Sequence, residues 1–364
     1  MHVYVHVPFC ARRCSYCDFA IAVRSRTPDA EFLSGIAVEW GSLHPAAGGT
    51  ISTLYFGGGT PSRLGGASMA ELIGIISRDN PFADDAEVTI EANPDDVTPE
   101  LAAAWHRAGV NRVSLGVQSH DPAVLEWMHR THRADQVGPA IAMLRGAGIE
   151  NISVDLIFAL PDQLGRDWMR DLDRTLALEP QHVSLYGLTV EPHTPLARWT
   201  ERGVTVPAQD SRYEQEYLAA HEALLARGFE HYEVSNAARP GFRSRHNSAY
   251  WTGADYIGLG PSAHSHASGV RSWNIRDWVA WEAAAREGRP LVAGTEQLTQ
   301  AQTELESLYL GLRTTEGLPV DRVPTDQRQR WEAEGWAELA GGGIRLTALG
   351  WLRLDALVTR LATS

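Results

Sequence analysis

From the amino terminus to Gly187, short β-branched apolar runs alternate with longer stretches whose apolar positions recur at helical spacing. Val3 to Val7, Ser52 to Phe56, Glu87 to Glu91, Arg112 to Val117, Ile152 to Ile157 and Val183 to Gly187 read as six strands. Ala30 to Leu43, Met69 to Ser77, Pro99 to Ala108, Gln136 to Ala147 and Trp168 to Leu178 read as helices long enough to cross back over a sheet. Strand, helix and strand repeated in this way predict an α/β fold with a parallel sheet, because parallel neighbours need a crossover connection. An open doubly wound sheet and a curled one share the pattern; six units favour a partial (β/α)6 barrel of the TIM type.

A further helix, Gln209 to Arg227, and the run Phe229 to Val234 complete a domain over residues 1–234. Residues 235–295 read as a loop-rich connecting region, since Ser235 to Ser268 is crowded with Gly, Ser, Asn and His, and loops of that length are usually functional. Past the Gly288-Arg289-Pro290 break, helices at Gln302 to Arg313, Arg328 to Gly335 and Leu349 to Leu361 flank a strand at Ile344 to Leu346. They predict a small, mainly helical C-terminal domain over 296–364 with the order of a winged helix.

Composition narrows the function classes. With 44% apolar residues in 364, the chain can bury a substantial core. Its apolar runs, such as Val154 to Leu160 interrupted by Asp155, are far shorter than the roughly 20 residues of a bilayer span. The opening His2-Val3-Tyr4-Val5-His6-Val7-Pro8 lacks the basic stretch of a secretory or transit segment, so a cytoplasmic protein is expected. A net charge of -13 repels phosphate backbones, and nucleic acid is not an expected partner. The C-terminal unit does not reverse this: its ten acids against seven Arg suggest packing or a lid. All 32 Lys and Arg residues are Arg, which excludes a Walker lysine, a pyridoxal-phosphate Schiff base and a lysine aldol site. Arg must bind any anion.

The three cysteines fall within eight positions, as Cys10-x3-Cys14-x2-Cys17. An odd number in a reducing compartment argues against disulfides and for a metal site. One reading is zinc, with His2 or His6 as fourth ligand. The other is a 4Fe-4S cluster, in which three thiolates leave one iron open to a small molecule. Polar and glycine residues also gather at the carboxyl ends of the predicted strands, where parallel α/β folds bind ligands. They are Gly57-Gly58-Gly59-Thr60-Pro61-Ser62, Glu91-Ala92-Asn93-Pro94, Gly116-Val117-Gln118, Asp155 and Gly187. Ser62 breaks the dinucleotide pattern G-x-G-x-x-G, so the glycine run is expected instead to approach a ligand closely and offer amides to an anion.

The cysteine spacing, with Tyr16 before the last cysteine, resembles that of radical S-adenosylmethionine (SAM) proteins. With Tyr4-Val5-His6-Val7-Pro8-Phe9-Cys10, Leu54 to Ser62, Val113 to Ser119 and Ser153 to Ile157, the chain resembles the oxygen-independent coproporphyrinogen III oxidase-like family, in its HemW haem-chaperone branch. The resemblance implies a cluster on Cys10, Cys14 and Cys17, with SAM chelating the open iron and cleaved by one electron to a 5'-deoxyadenosyl radical. It implies SAM contacts at Tyr4, Tyr16, Gly58, Gly59, Thr60, Glu91, Gln118, Arg130 and Asp155, and also at Gly187 and His264. Phe19, where the oxidase has a fourth cysteine, and the lack of that enzyme's longer N-terminal lead point away from the oxidase itself.

Arg245-His246-Asn247-Ser248-Ala249-Tyr250-Trp251 is similar to the branch's H-N-x-x-Y-W signature, which implies haem binding by His246. An imidazole is a standard axial ligand, Tyr250 and Trp251 can cover a porphyrin face, and Arg243 or Arg245 could meet its propionates. The implied function is delivery of haem to membrane-bound haemoproteins, with peripheral membrane association and a low-potential electron donor such as flavodoxin or ferredoxin. The alternatives are a radical SAM enzyme decarboxylating coproporphyrinogen III or a related tetrapyrrole, and a zinc-stabilised non-catalytic protein. Three positions depart from the family: His129 and His193 replace glycines, and Asp162 stands where L-P-G-Q is common.

Overall fold

The computed structural model describes residues 1–43 and 49–362. The six expected strands are β1 (His2–Val7), β2 (Ile51–Gly58), β3 (Phe82–Ala92), β4 (Arg112–Gln118), β5 (Asn151–Phe158) and β6 (His182–Gly187), each parallel to the next. Helices α1 (Asp29–Leu43), α2 (Gly66–Ser77), α3 (Pro99–Arg107), α4 (Pro122–Trp127), α5 (Val137–Gly146) and α6 (Trp168–Leu176) return the chain between them. Thr98, Asp121 and Asp167 cap α3, α4 and α6 by accepting backbone N–H bonds. Pro99 and Pro122 sit in the first turn, where no N–H is needed.

Alternation along the strands divides the molecule into layers. Val3, Val5 and Val7 are fully buried in the core that includes Phe32, Ile36 and Trp40 of α1. The intervening positions are polar: Thr53, Thr89, Arg112, Ser114, Ser153, His182 and Ser184 are all buried. They bond to one another across the strands, Ser153 to His182 at 2.7 Å and Ser114 to Asp155 at 3.0 Å. The inner face therefore differs from the branched aliphatic layers that fill a complete TIM barrel, and it leaves room for a ligand.

The partial barrel is part of a larger sheet. Beyond α7 (Pro195–Glu201) and α8 (Asp210–Ala226), β7 (Glu230–Glu233) and β8 (Asn236–Ala238) add antiparallel strands at the β6 edge. After α9 (Arg245–Trp251), β9 (Tyr256–Leu259) pairs in parallel with β1 on the opposite edge. The sheet continues antiparallel through β10 (His264–Ala267), β11 (Val270–Asn274) and, after α10 (Trp278–Arg286), β12 (Val292–Gln297). The result is one 12-stranded sheet, ordered β12-β11-β10-β9-β1-β2-β3-β4-β5-β6-β8-β7.

Residues 235–295, expected as a loop-rich connection, thus carry strands and helices of this same sheet. These strands of four to six residues are too short to stand out by local propensity, and their order comes from pairing in turn, β9 on β1, β10 on β9, β11 on β10 and β12 on β11. One readable signal was overlooked: Ser268 and Gly269, both at positive φ (53° and 77°), form the two-residue turn between β10 and β11.

The C-terminal unit has the expected winged-helix order. Helices α11 (Gln300–Arg313), α12 (Thr325–Ala333), α13 (Ala348–Trp351) and α14 (Leu354–Ala362) accompany a sheet of β13 (Leu318–Pro319), β14 (Ala337–Ala340) and β15 (Gly343–Leu346). Arg313 joins it to the barrel. Its guanidinium lies 2.8 Å from the carboxylate of fully buried Glu233 and 4.1 Å over the Trp251 ring. Removing it would strand a buried charge, so Arg313→Ala is expected to cost roughly 3–5 kcal/mol in chemical denaturation.

Candidate cluster and cofactor site

Just past β1, Phe9–Cys10 pairs in parallel with Ala22–Val23, which closes the cysteine segment into a loop. Ala22 N–H donates to Pro8 O at 2.7 Å and Arg24 N–H to Cys10 O at 3.0 Å. Phe9 is fully buried edge-on to Phe32 (5.6 Å) and Trp278 (4.9 Å), which anchors Cys10. Ser15 holds the tip, donating to Met128 O at 3.1 Å and accepting from Leu196 N–H at 2.9 Å.

All three thiols are free and line one cavity of about 420 Å³. The Thr60 hydroxyl donates to Cys10 Sγ at 3.4 Å, and Arg130 Nη1 to Cys14 Sγ at 3.6 Å. Burial raises the Cys10 thiol and pushes Cys17 up to about 11, so these sulfurs stay protonated until a metal displaces the proton. Among the described residues no three His, Cys, Asp or Glu side chains converge as ligands of one ion. A cubane takes each thiolate on a different iron, and its ligands stand further apart. Neither His2 nor His6 borders the cavity. His6 is held by Ala20 O (2.8 Å) and the Tyr4 hydroxyl (3.2 Å), and His2 by Thr53 (2.9 Å).

The strand ends supply the other walls, as expected: Tyr16, Gly58, Gly59, Thr60, Glu91, Gln118, Arg130, Asp155 and Gly187 all line this cavity. Glu91 accepts from the Tyr55 hydroxyl (2.9 Å) and from Gly58 N–H (3.1 Å). Burial pushes its carboxyl up to about 7; burial also raises Asp155, despite hydrogen bonds from Ser184 and Ser114. Arg130 is fixed by Gly116 O (2.6 Å) and Asn93 Oδ1, while its buried Nε has no partner. A thiol cluster beside two buried carboxyls and a pinned guanidinium fits a cluster and a cofactor carrying cationic and anionic groups together.

The glycine run works differently from expectation. Gly58 N–H is taken by Glu91 and Gly59 N–H by Val7 O (2.8 Å), so neither amide is free for an anion. The glycines are required sterically: Gly58 has φ +108° and its Cβ would stand 2.5 Å from the His6 ring. Gly58→Ala is expected to destabilise the protein by roughly 1–3 kcal/mol in thermal melts. Gly116 lines the cavity with the other strand-end residues, and Ser114 and Tyr186 join it beyond those expected. The period-two register shared with Asp155 was their signal, since Ser114 pairs with Ser153 and Tyr186 with Ile157, each two residues from Asp155.

Residues 4–175 match the Radical SAM superfamily. The chain is 37% identical over 366 residues to the heme chaperone HemW of Mycobacterium tuberculosis, covering 99% of this chain and 94% of that protein. It is 34% identical to the heme chaperone HemW of Bacillus subtilis, over 88% of this chain and 85% of that one. This chain belongs to the HemW family of radical SAM proteins. The coproporphyrinogen III oxidase HemN of Escherichia coli has the same fold, with a TM-score of 0.82 at 21% identity over 99% of this chain and 89% of that enzyme.

Other positions implied by HemW-family likeness lie outside this cavity. Tyr4 and His264 border a separate hollow of about 310 Å³ on the far side of Gly58. The HemW-type H-N-x-x-Y-W segment forms α9, whose His246 stacks on Tyr55 of β2 at 5.0 Å and whose Tyr250 borders the same hollow as Tyr4 and His264. Glu87 accepts from the N–H groups of Arg245 (2.9 Å) and His246 (3.0 Å), and Ser244 caps the helix. His246 is buried, with Nδ1 on Thr53 Oγ1 (2.7 Å) and Nε2 on the Tyr250 hydroxyl (2.8 Å). In this arrangement both ring nitrogens are engaged by hydroxyl groups. Arg243 and Arg245 are likewise engaged, by Glu230 and Glu316 and by Asp85.

The departures from the HemW-family pattern have a backbone cost. His129 and His193 hold φ of +59° and +65°, the left-handed region that suits the glycines they replace. His129 packs edge-on to Trp199 at 5.5 Å beside Arg130. Asp162 instead pairs with Arg212.

Proposed function

We propose that this protein is a cytoplasmic haem chaperone that carries a 4Fe-4S cluster and SAM, binds haem and passes it to haemoproteins. The observation that carries this reading is the convergence of Cys10, Cys14 and Cys17 with strand-end groups on one cavity, in a chain matching HemW proteins over nearly its whole length. Once bound, the cluster and SAM supply one-electron chemistry, fed by a low-potential donor. Around them, Thr60 supports the Cys10 thiolate, and Arg130 holds a fixed positive charge beside Cys14. Glu91 and Asp155 offer negative charge to the ammonium and sulfonium of SAM, and Tyr16 and Gln118 complete the wall. No helix among the described residues is long and apolar enough to cross a membrane, so any membrane contact is peripheral in this reading.

The test combines spectroscopy with transfer. Anaerobically reconstituted, reduced protein should give a 4Fe-4S EPR signal that shifts on adding SAM, and the haem-loaded protein should yield haem to an apo-haemoprotein. A colourless protein that takes up zinc stoichiometrically would sink the proposal. Conversion of coproporphyrinogen III to protoporphyrinogen would replace the chaperone with an enzyme.

A further inference from the structure

The loop that carries the three thiols is also an exposed part of the surface. Ala11, Arg12 and Arg13 face solvent between Cys10 and Cys14, and Cys14 and Cys17 are only half-buried. An electron entering through this loop crosses little protein before it reaches the sulfurs, and electron transfer slows steeply with distance. A cavity of about 420 Å³ shared by a cluster and SAM has no room for a protein donor, which must dock outside it.

Outside the loop lies a shallow hollow bordered by Phe19, Val23 and Val279, exposed by 56%, 46% and 56%. Apolar side chains grouped in this way mark a contact surface. Three guanidiniums line the same hollow, each fixed by a backbone carbonyl of the cysteine segment: Arg13 donates to Cys17 O (3.4 Å), Arg24 to Val23 O (3.0 Å) and Arg276 to Asp18 O (2.9 Å). Arg12 adds a fourth, exposed at the rim of the cofactor cavity. None of the four joins the ion pairs found among the described residues, although the chain carries a net charge of -13. Of the two acids bordering the hollow, Asp277 is engaged in capping α10 through Ala280 N–H (2.9 Å), which leaves Asp18.

We propose that this face is where the electron donor docks: an acidic, low-potential one-electron carrier protein seats on Phe19, and Arg12, Arg13, Arg24 and Arg276 steer it there. This rests on the reading that the three cysteines carry a redox cluster, and it adds the surface through which that cluster is fed. One electron leaves the partner's reduced centre, which is oxidised, and enters the cluster, which is reduced; no bond forms or breaks. Transient redox complexes use small contacts, and an apolar centre with a charged rim is the usual anatomy of an interface. A basic patch on an otherwise acidic molecule selects an acidic partner and orients it as it approaches, which raises the association rate more than the affinity.

The test mixes full-length, cluster-loaded protein anaerobically with an acidic flavodoxin in its hydroquinone state and follows cluster reduction by stopped flow. The second-order rate constant of the wild type should fall about tenfold or more as salt rises to about 0.3 M. A variant combining Arg12→Gln, Arg13→Gln, Arg24→Gln and Arg276→Gln should lose about tenfold or more of the low-salt rate and most of the salt dependence. Its reduction by methyl viologen radical, a small donor that needs no docking surface, should not slow. Phe19→Ala should raise the Kd for oxidised flavodoxin about tenfold, measured by calorimetry on cluster-free protein, and leave the salt dependence as it was. Equal flavodoxin rates and salt dependence in wild type and the arginine variant, both carrying a cluster that dithionite reduces, would overturn the docking surface alone. The same holds if the arginine variant instead changes the sedimentation of the protein by itself, or its binding to phosphatidylglycerol vesicles, at an unaltered flavodoxin rate: the face would then belong to a second copy or to a membrane. A wild-type protein with no cluster signal after dithionite would fail the cluster reading, and the proposal with it.

Discussion

Cys14→Ala protein, reconstituted anaerobically with iron and sulfide, is expected to retain less than about a tenth of the wild-type cluster, because two thiolates cannot hold a cubane that needs at least three. The readout is the broad visible absorbance together with the EPR signal of the reduced protein. Cys14 is the informative choice of the three cysteines. It is half-buried, and among the described residues the only hydrogen bond to its thiol is the long one from Arg130 at 3.6 Å. Arg130 remains held by Asn93 and Gly116 when the thiol is gone. The cluster-free variant should therefore melt within about 0.5 kcal/mol of cluster-free wild type, as changes away from buried networks usually do. Loss of colour without loss of fold separates a ligand from a packing residue. A variant that stays brown with an unaltered spectrum would remove Cys14 from the ligand set.

Glu91→Gln should weaken SAM binding by about tenfold to a hundredfold, the usual consequence of losing a charged partner in a buried hydrogen bond. Burial pushes the Glu91 carboxyl up to about 7 from 4.5, so the empty site is only partly ionised at neutral pH. Cationic SAM favours the carboxylate, and wild-type affinity should rise as pH increases through about 7, with proton release on binding. The glutamine variant should lose this dependence on Glu91. Calorimetry in buffers of different ionisation enthalpy measures both effects. Stability runs the opposite way. A carboxyl whose folded pKa lies above its unfolded value favours the fold below 4.5 and loses that contribution as pH rises through about 7. Cofactor-free Glu91→Gln should then melt above wild type at pH 8 and no higher at pH 4. Equal pH dependence of SAM binding in the two proteins would show that Glu91 does not face the cofactor.

The six barrel strands and the helices between them were legible because apolar alternation and capping residues such as Thr98 and Asp167 are local signals. The cluster loop was legible for a different reason: three thiols in eight positions have few other uses. Positions that depend on which segments meet were not legible. The glycine run looked like an anion cradle, and only the tertiary structure shows Glu91 occupying the Gly58 amide and the His6 ring excluding a side chain there. The histidine motif read as part of a loop, whereas Glu87 receives its first N–H groups as a helix terminus and Thr53 holds the buried His246 ring. The exposed face formed by Phe19, Val279 and Arg276 joins residues more than 250 positions apart. Sequence by itself determined which chemistry the chain carries and at which strand ends. Tertiary structure decided which donors remain free, because a hydrogen-bonding group already satisfied by a distant neighbour no longer has a lone pair or proton to offer a ligand.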